Sequence, residues 1–120
     1  MSIHGSKLTN LNGRVPIASG NVAMSMYKED RKWRIKISVF GTPDMYNMRA
    51  GCNAILHPEE YSNARELSNG VGRLAAFLAK NVEKRTKGKF DACIDETDAY
   101  KSAVQLLGEC MIELKASGSL

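Results

Sequence analysis

From Arg31 to Phe40 the chain reads RKWRIKISVF, and apolar and polar side chains take turns along it. Trp33, Ile35, Ile37 and Val39 fall on one side, and Arg34, Lys36, Ser38 and Phe40 on the other. A period of two marks a half-buried strand, because successive side chains of a strand point to opposite faces. Just before it, NVAMSMY alternates in the same way, with Val22, Met24 and Met26 opposed to Ala23, Ser25 and Tyr27. The polar run KEDR, Lys28 to Arg31, has the length to join the two strands as an antiparallel hairpin. Further upstream, RVPIAS reads as an edge or irregular strand, since Pro16 cannot donate to a ladder, and Gly20 punctuates it. After the turn signal GTPD at 41–44, MYNMRAGCNAIL reads as one more extended segment, bent or bulged around Gly51.

The period then changes to that of a helix. HPEEYSNARELS opens one, with Pro58 suited to the first helical position and two glutamates favoured at the positive end of the helix dipole. Tyr61, Ala64, Leu67, Val71, Leu74, Leu78 and Val82 recur at threes and fours as its apolar face. Asn69, Gly70 and Gly72 predict a kink or break near residue 70, and Gly88 is a natural C-cap behind the cations of KRTKGK. KFDACID is a short strand or a connector. Asp95 or Thr97 then caps a last helix, whose apolar face is Tyr100, Ala103, Val104, Leu107, Cys110, Met111 and Leu114. Strands first and helices afterwards mean an α+β fold, an antiparallel sheet of three to four strands followed by two amphipathic helices.

Length and composition narrow the picture. A chain of 120 residues supports one core, so residues 13–116 are read as a single domain. The polar stretch 1–12 reads as a flexible arm and 117–120 as a flexible tail. With 43% hydrophobic and 25% charged residues the chain is not a disordered one. Its net charge of +4 and pI of about 9.1 favour a polyanionic partner. The three cysteines, Cys52, Cys93 and Cys110, form no CxxC, and His4 and His57 stand far apart, so the spacing offers no zinc site. Free thiols in a reducing compartment are the simpler reading, and with no signal-like apolar block after Met1 the expected location is intracellular, the cytoplasm. No apolar run suggests a membrane span.

The basic hairpin, the further extended segment and the Pro-Glu helix start together resemble the transcriptional positive cofactor four family. MYKEDRKWRIKISVF looks like that family's first hairpin, with the aromatic-Lys pair Tyr27-Lys28 before the turn. MRAGCNAILHPEEYSNARELS looks like its last strand and helix start, with about two more residues between Arg49 and Pro58 than the family pattern has. The resemblance spans about residues 21–74. It implies a curved antiparallel sheet, dimerisation and binding of single-stranded DNA. A long second helix after Gly88 lies outside it.

Single-strand binding needs cations that follow phosphates and rings on which bases stack. The candidate nucleic-acid-binding residues are therefore Tyr27, Lys28, Lys32, Arg34, Lys36, Phe40 and Arg49, with Arg31 in the turn. Each has a plainer reading beside it. Cations on the solvent face of a sheet are ordinary and protect an edge from aggregation, Tyr27 can cover a loop, and Phe40 can pack beneath the second helix. Trp33 belongs with its aliphatic neighbours in the core. The acids Asp91, Asp95, Glu96 and Asp98 are better explained by helix capping than by a metal, and Gly70-Val71-Gly72-Arg73 is too short for a phosphate loop. His57 has no nucleophile or paired carboxylate placed around it, so no catalytic constellation emerges and no cofactor is expected.

Two functions remain. One is a homodimeric binder of single-stranded DNA or RNA, dimerised through its amphipathic helices. The alternative is a small viral or mobile-element accessory protein, located in the host cytoplasm, that binds and inhibits a host protein. The second reading calls for an exposed apolar patch, for which Met24, Met26, Met45 and Met48 are the candidates, although methionines also fill core gaps.

Overall fold

The computed structural model describes residues 17–19, 21–41, 51–86 and 95–116. Four strands, β1 (Ile17–Ser19), β2 (Val22–Glu29), β3 (Lys32–Phe40) and β4 (Gly51–Leu56), precede two helices, α1 (Ala64–Thr86) and α2 (Glu96–Ala116). The strands form one open, curved antiparallel sheet in the order β1-β2-β3-β4, so neighbours in sequence are neighbours in space. This is the expected α+β fold. The flexible arm and tail expected at 1–12 and 117–120 lie outside the described residues, as do Pro16, Met45, Met48, Arg49, Gly88 and most of KFDACID.

The alternation read from the sequence sets the sheet's register. Met24 faces Ile37, Met26 faces Ile35, and Ile37 in turn faces Ala54, so one face collects Val22, Met24, Met26, Ile35, Ile37, Val39 and Leu56. All seven are buried, and both helices pack over them with Val71, Ala75, Leu78, Val82, Ala103, Leu106, Leu107 and Leu114. Among the described residues the two helices form one layer on this face and share the main core with it. Met24 and Met26 are therefore core residues and offer no patch to a partner.

The hairpin turn is tighter than the four residues KEDR suggested. The strands run on to Glu29 and resume at Lys32, leaving only Asp30 and Arg31 to turn the chain, at φ 53° and 68°. Positive φ at both central residues is the mirror-image turn whose twist matches that of the flanking strands. At the other end of the pair, Asn21 closes the ladder. Its carbonyl accepts from Phe40 N–H at 3.0 Å, and its Nδ2 donates to the Phe40 carbonyl at 2.8 Å.

Two expectations about α1 are corrected. The helix does not open at Pro58, because Pro58–Glu60 forms a separate single 3₁₀ turn and the chain is extended again at Tyr61. Asn63 is the residue that starts α1, its Oδ1 accepting from Glu66 N–H at 2.9 Å and its carbonyl from Leu67 N–H at 3.0 Å. Nor does the helix break near residue 70: α1 runs unbroken through Gly70 and Gly72. Those glycines are required by two rings. A Cβ on Gly70 would run into the Tyr61 ring, and one on Gly72 would sit 2.5 Å from Tyr100. In α2 the cap is Asp95, whose Oδ1 accepts from Asp98 N–H at 2.8 Å. That hydrogen bond gives this acidic residue its structural task.

Candidate nucleic-acid interface

Paired residues of an antiparallel sheet share a face. The face turned away from the helices therefore carries Ala23, Ser25 and Tyr27 from β2, Lys32, Arg34, Lys36, Ser38 and Phe40 from β3, and Asn53 and Ile55 from β4. Of the expected binding residues, Tyr27, Lys32, Arg34, Lys36 and Phe40 are thus brought to one side. Lys28 lies on the opposite side beside Trp33, with its Nζ 5.2 Å from the centre of the indole. Arg49 lies outside the described residues.

Sharing a face is not the same as sharing an exposed surface. Tyr27 is 3% exposed and Phe40 1%, and Phe40 forms a small second apolar cluster with Ala23. Neither ring is presented to a base, which corrects the expectation that both stack. Phe40 also does not pack beneath α2, because it points to the side of the sheet away from both described helices. Ser25 and Ser38 are buried there as well. The open part of the face is the sector of β3 and β4 away from β2. It holds exposed Lys32, half-buried Lys36, exposed Asn53 and Ile55, the last of these 50% exposed.

Arg34 sits in the middle of this row and is engaged within the chain. Its side chain is 11% exposed, and one guanidinium nitrogen donates to the Trp33 carbonyl at 2.7 Å and to the Glu59 carboxylate at 2.9 and 3.0 Å. The Glu59 carboxyl is held below the usual carboxylate range, chiefly by its own backbone N–H and further by Arg34. The Pro58–Glu60 turn is what brings this carboxylate to β3. Proline fixes φ, and the 3₁₀ turn closes with Glu60 N–H on the His57 carbonyl and Tyr61 N–H on that of Pro58. His57 Nδ1 lies 4.0 Å from the same carboxylate. Trp33, Lys32, Pro58 and Glu59 line an open depression of about 330 Å³ beside this ion pair.

The site that emerges is a row of cations along one strand, Lys32, Arg34 and Lys36, spaced two residues apart, or about 7 Å at each step. Exposed Lys28 and Arg31 extend it around the tip of the hairpin, where Glu29 and Asp30 offset part of the charge. Asn53 and Ile55 flank the row on β4. Those two were not expected from the sequence, because only the pairing of Lys36 with Ile55 and Ser38 with Asn53 brings them alongside. Among the described residues no group of histidine, cysteine or carboxylate side chains is placed to hold a metal ion, and no helix is long and apolar enough to cross a membrane. Cys52 is half-buried and Cys110 buried, and the two are not joined in a disulfide. In comparisons with family models, curated proteins and solved structures, none matches this chain.

Proposed function

We propose that this protein binds single-stranded nucleic acid along the open β3–β4 sector of its sheet. The observation that carries the reading is the row Lys32, Arg34, Lys36 on one face of β3, bordered by exposed Ile55 and Asn53. Cations in register along a strand suit a repeating backbone charge, and an exposed apolar side chain beside them gives an unstacked base somewhere to rest. Lys32 and Lys36 bind phosphates, and Lys28 and Arg31 extend the basic surface around the hairpin tip. Arg34 contributes its field while remaining bound to Glu59. Tyr27 and Phe40 hold the sheet in shape beneath this surface. The resemblance of the hairpin to the positive cofactor four pattern points to the same class of ligand.

Fluorescence anisotropy of a labelled oligothymidine, with a duplex and an RNA of matched length as controls, tests the proposal. The single strands are expected to bind at low salt and to weaken steeply as salt rises. Replacing both Lys32 and Lys36 by alanine is expected to flatten the dependence of log K on log salt by about 1.4, near 0.7 for each phosphate that is no longer neutralised. Failure of the unaltered chain to bind at low salt would remove nucleic acid from consideration.

A further inference from the structure

Among the described residues the proposed sheet surface has no exposed phenylalanine or tyrosine ring, and α1 supplies one. Phe77 is 60% exposed. At 3.6 residues per turn, Arg73, Phe77, Lys80 and Lys84 fall within an arc of about 60°, a stripe roughly 16 Å long. The stripe lies opposite the buried line of Val71, Ala75, Leu78 and Val82, so it faces directly away from the sheet. All three of its cations are exposed, and none is in an ion pair among the described residues. Of the carboxylates of α1, Glu83 stands about one turn beyond Lys80 and already has a partner, and Glu66 stands nearly two turns before Arg73.

A lone exposed apolar residue on a helix calls for no explanation. A phenylalanine set between unpaired cations is different, because it pairs a stacking surface with charges that follow phosphates. The arrangement is a poor match to a lipid surface. An interfacial helix carries a broad apolar face opposite its basic one, whereas here the face opposite the cations is consumed by the core, and Phe77 is the single apolar side chain of the stripe.

We infer that the outer stripe of α1 is a second binding surface for single-stranded nucleic acid, with Phe77 stacking on a base and Arg73, Lys80 and Lys84 on phosphates. The inference rests on the reading of the chain as a nucleic-acid binder, but on different residues from the sheet site. The two surfaces lie on opposite sides of the molecule. A long strand reaches both by wrapping around the domain, and a short one occupies either.

The test uses the full chain with labelled oligothymidine, comparing Phe77→Ala, Phe77→Tyr, Lys80→Gln/Lys84→Gln and the sheet variant Lys32→Ala/Lys36→Ala. Phe77→Ala is expected to weaken binding of a long strand about five-fold or more, and Phe77→Tyr, which keeps the ring, to restore it. Thermal unfolding of each variant checks that the fold is kept, as expected for an exposed side chain. Photocrosslinking of a bromouracil-substituted strand is expected to label the α1 peptide containing Phe77. Unchanged binding by Phe77→Ala, with the sheet variant impaired, overturns this inference and leaves the sheet site standing. Loss of binding in the α1 variants but not in the sheet variant supports the inference and moves the function to the helix. Absence of binding by the unaltered chain removes both. Phe77-dependent capture on phosphatidylglycerol vesicles, with oligothymidine binding independent of Phe77, assigns the stripe to a membrane and overturns the inference.

Discussion

Arg31 shows how one residue serves two demands. It occupies the second central position of the hairpin turn at φ 68°, a conformation that costs a residue with a Cβ about 1–2 kcal/mol and glycine almost nothing. Arg31→Gly is therefore expected to raise stability by about 1 kcal/mol in chemical denaturation. The same change is expected to weaken oligothymidine binding at low salt, because it removes an exposed cation at the tip of the proposed surface. Glu59 makes a complementary case. Its carboxyl is held below the usual range by its own backbone N–H and by Arg34, so the pairing is complete above the ordinary carboxylate pKa. It is lost only as pH falls through the lower folded value. Protonation frees Arg34 and removes a negative charge beside Lys32. Oligonucleotide affinity is accordingly expected to rise as pH drops through that window, and Glu59→Gln to show the tighter binding already at neutral pH, with no further rise.

Among the elements, the hairpin was legible in the sequence and the start of α1 was not. Alternation identifies a strand because it repeats over eight or nine residues, and here β3 keeps one side wholly apolar and β2 does so as far as Met26. A helix start is a local matter of two or three hydrogen bonds, and two signals competed for it. Pro58 with its two glutamates produced a single 3₁₀ turn, and the Asn63 cap began the helix. Asn63→Ala is expected to lower stability by about 1 kcal/mol. The glycines of α1 likewise deceive when only the chain's local preferences are weighed. Propensity alone predicts that Gly72→Ala stabilises the helix by nearly 1 kcal/mol. The added methyl would collide with the Tyr100 ring, which is anchored by its hydroxyl donating to Asn69 Oδ1 at 2.9 Å. The substitution is expected instead to destabilise by about 1–3 kcal/mol, as overpacking does.

At the scale of the whole molecule, the helices spend their apolar faces on the sheet. The expected homodimer, paired through its amphipathic helices, would therefore need a surface other than these faces. Among the described residues the large apolar side chains left exposed on the helices are Phe77 on α1 and Met111 and Ile112 on α2, far short of the roughly 1,200 Å² of a stable interface. Sedimentation velocity at micromolar concentration is expected to show a monomer. A dimer would point to the outer edge of β4, whose backbone pairs with no other strand among the described residues.

The order of strands and helices, the hairpin and the buried side of the sheet were legible in the sequence, because each is written as a periodicity that backbone geometry converts directly into a face. The helix faces were legible less closely, since Ala99 and Leu106 are buried while Ala64 and Met111 are exposed. The common side of Tyr27, Lys32, Arg34, Lys36 and Phe40 was legible for the same reason. Which of those side chains meets solvent was decided only by tertiary structure. Burial depends on what packs from a distance, and no period within a strand records it. Thus Tyr27 and Phe40 became interior residues, and Arg34 was claimed by a glutamate 25 residues away. Ile55 and Asn53 entered the surface through pairing across the sheet, and the outward side of α1 acquired its meaning only when the sheet took the other.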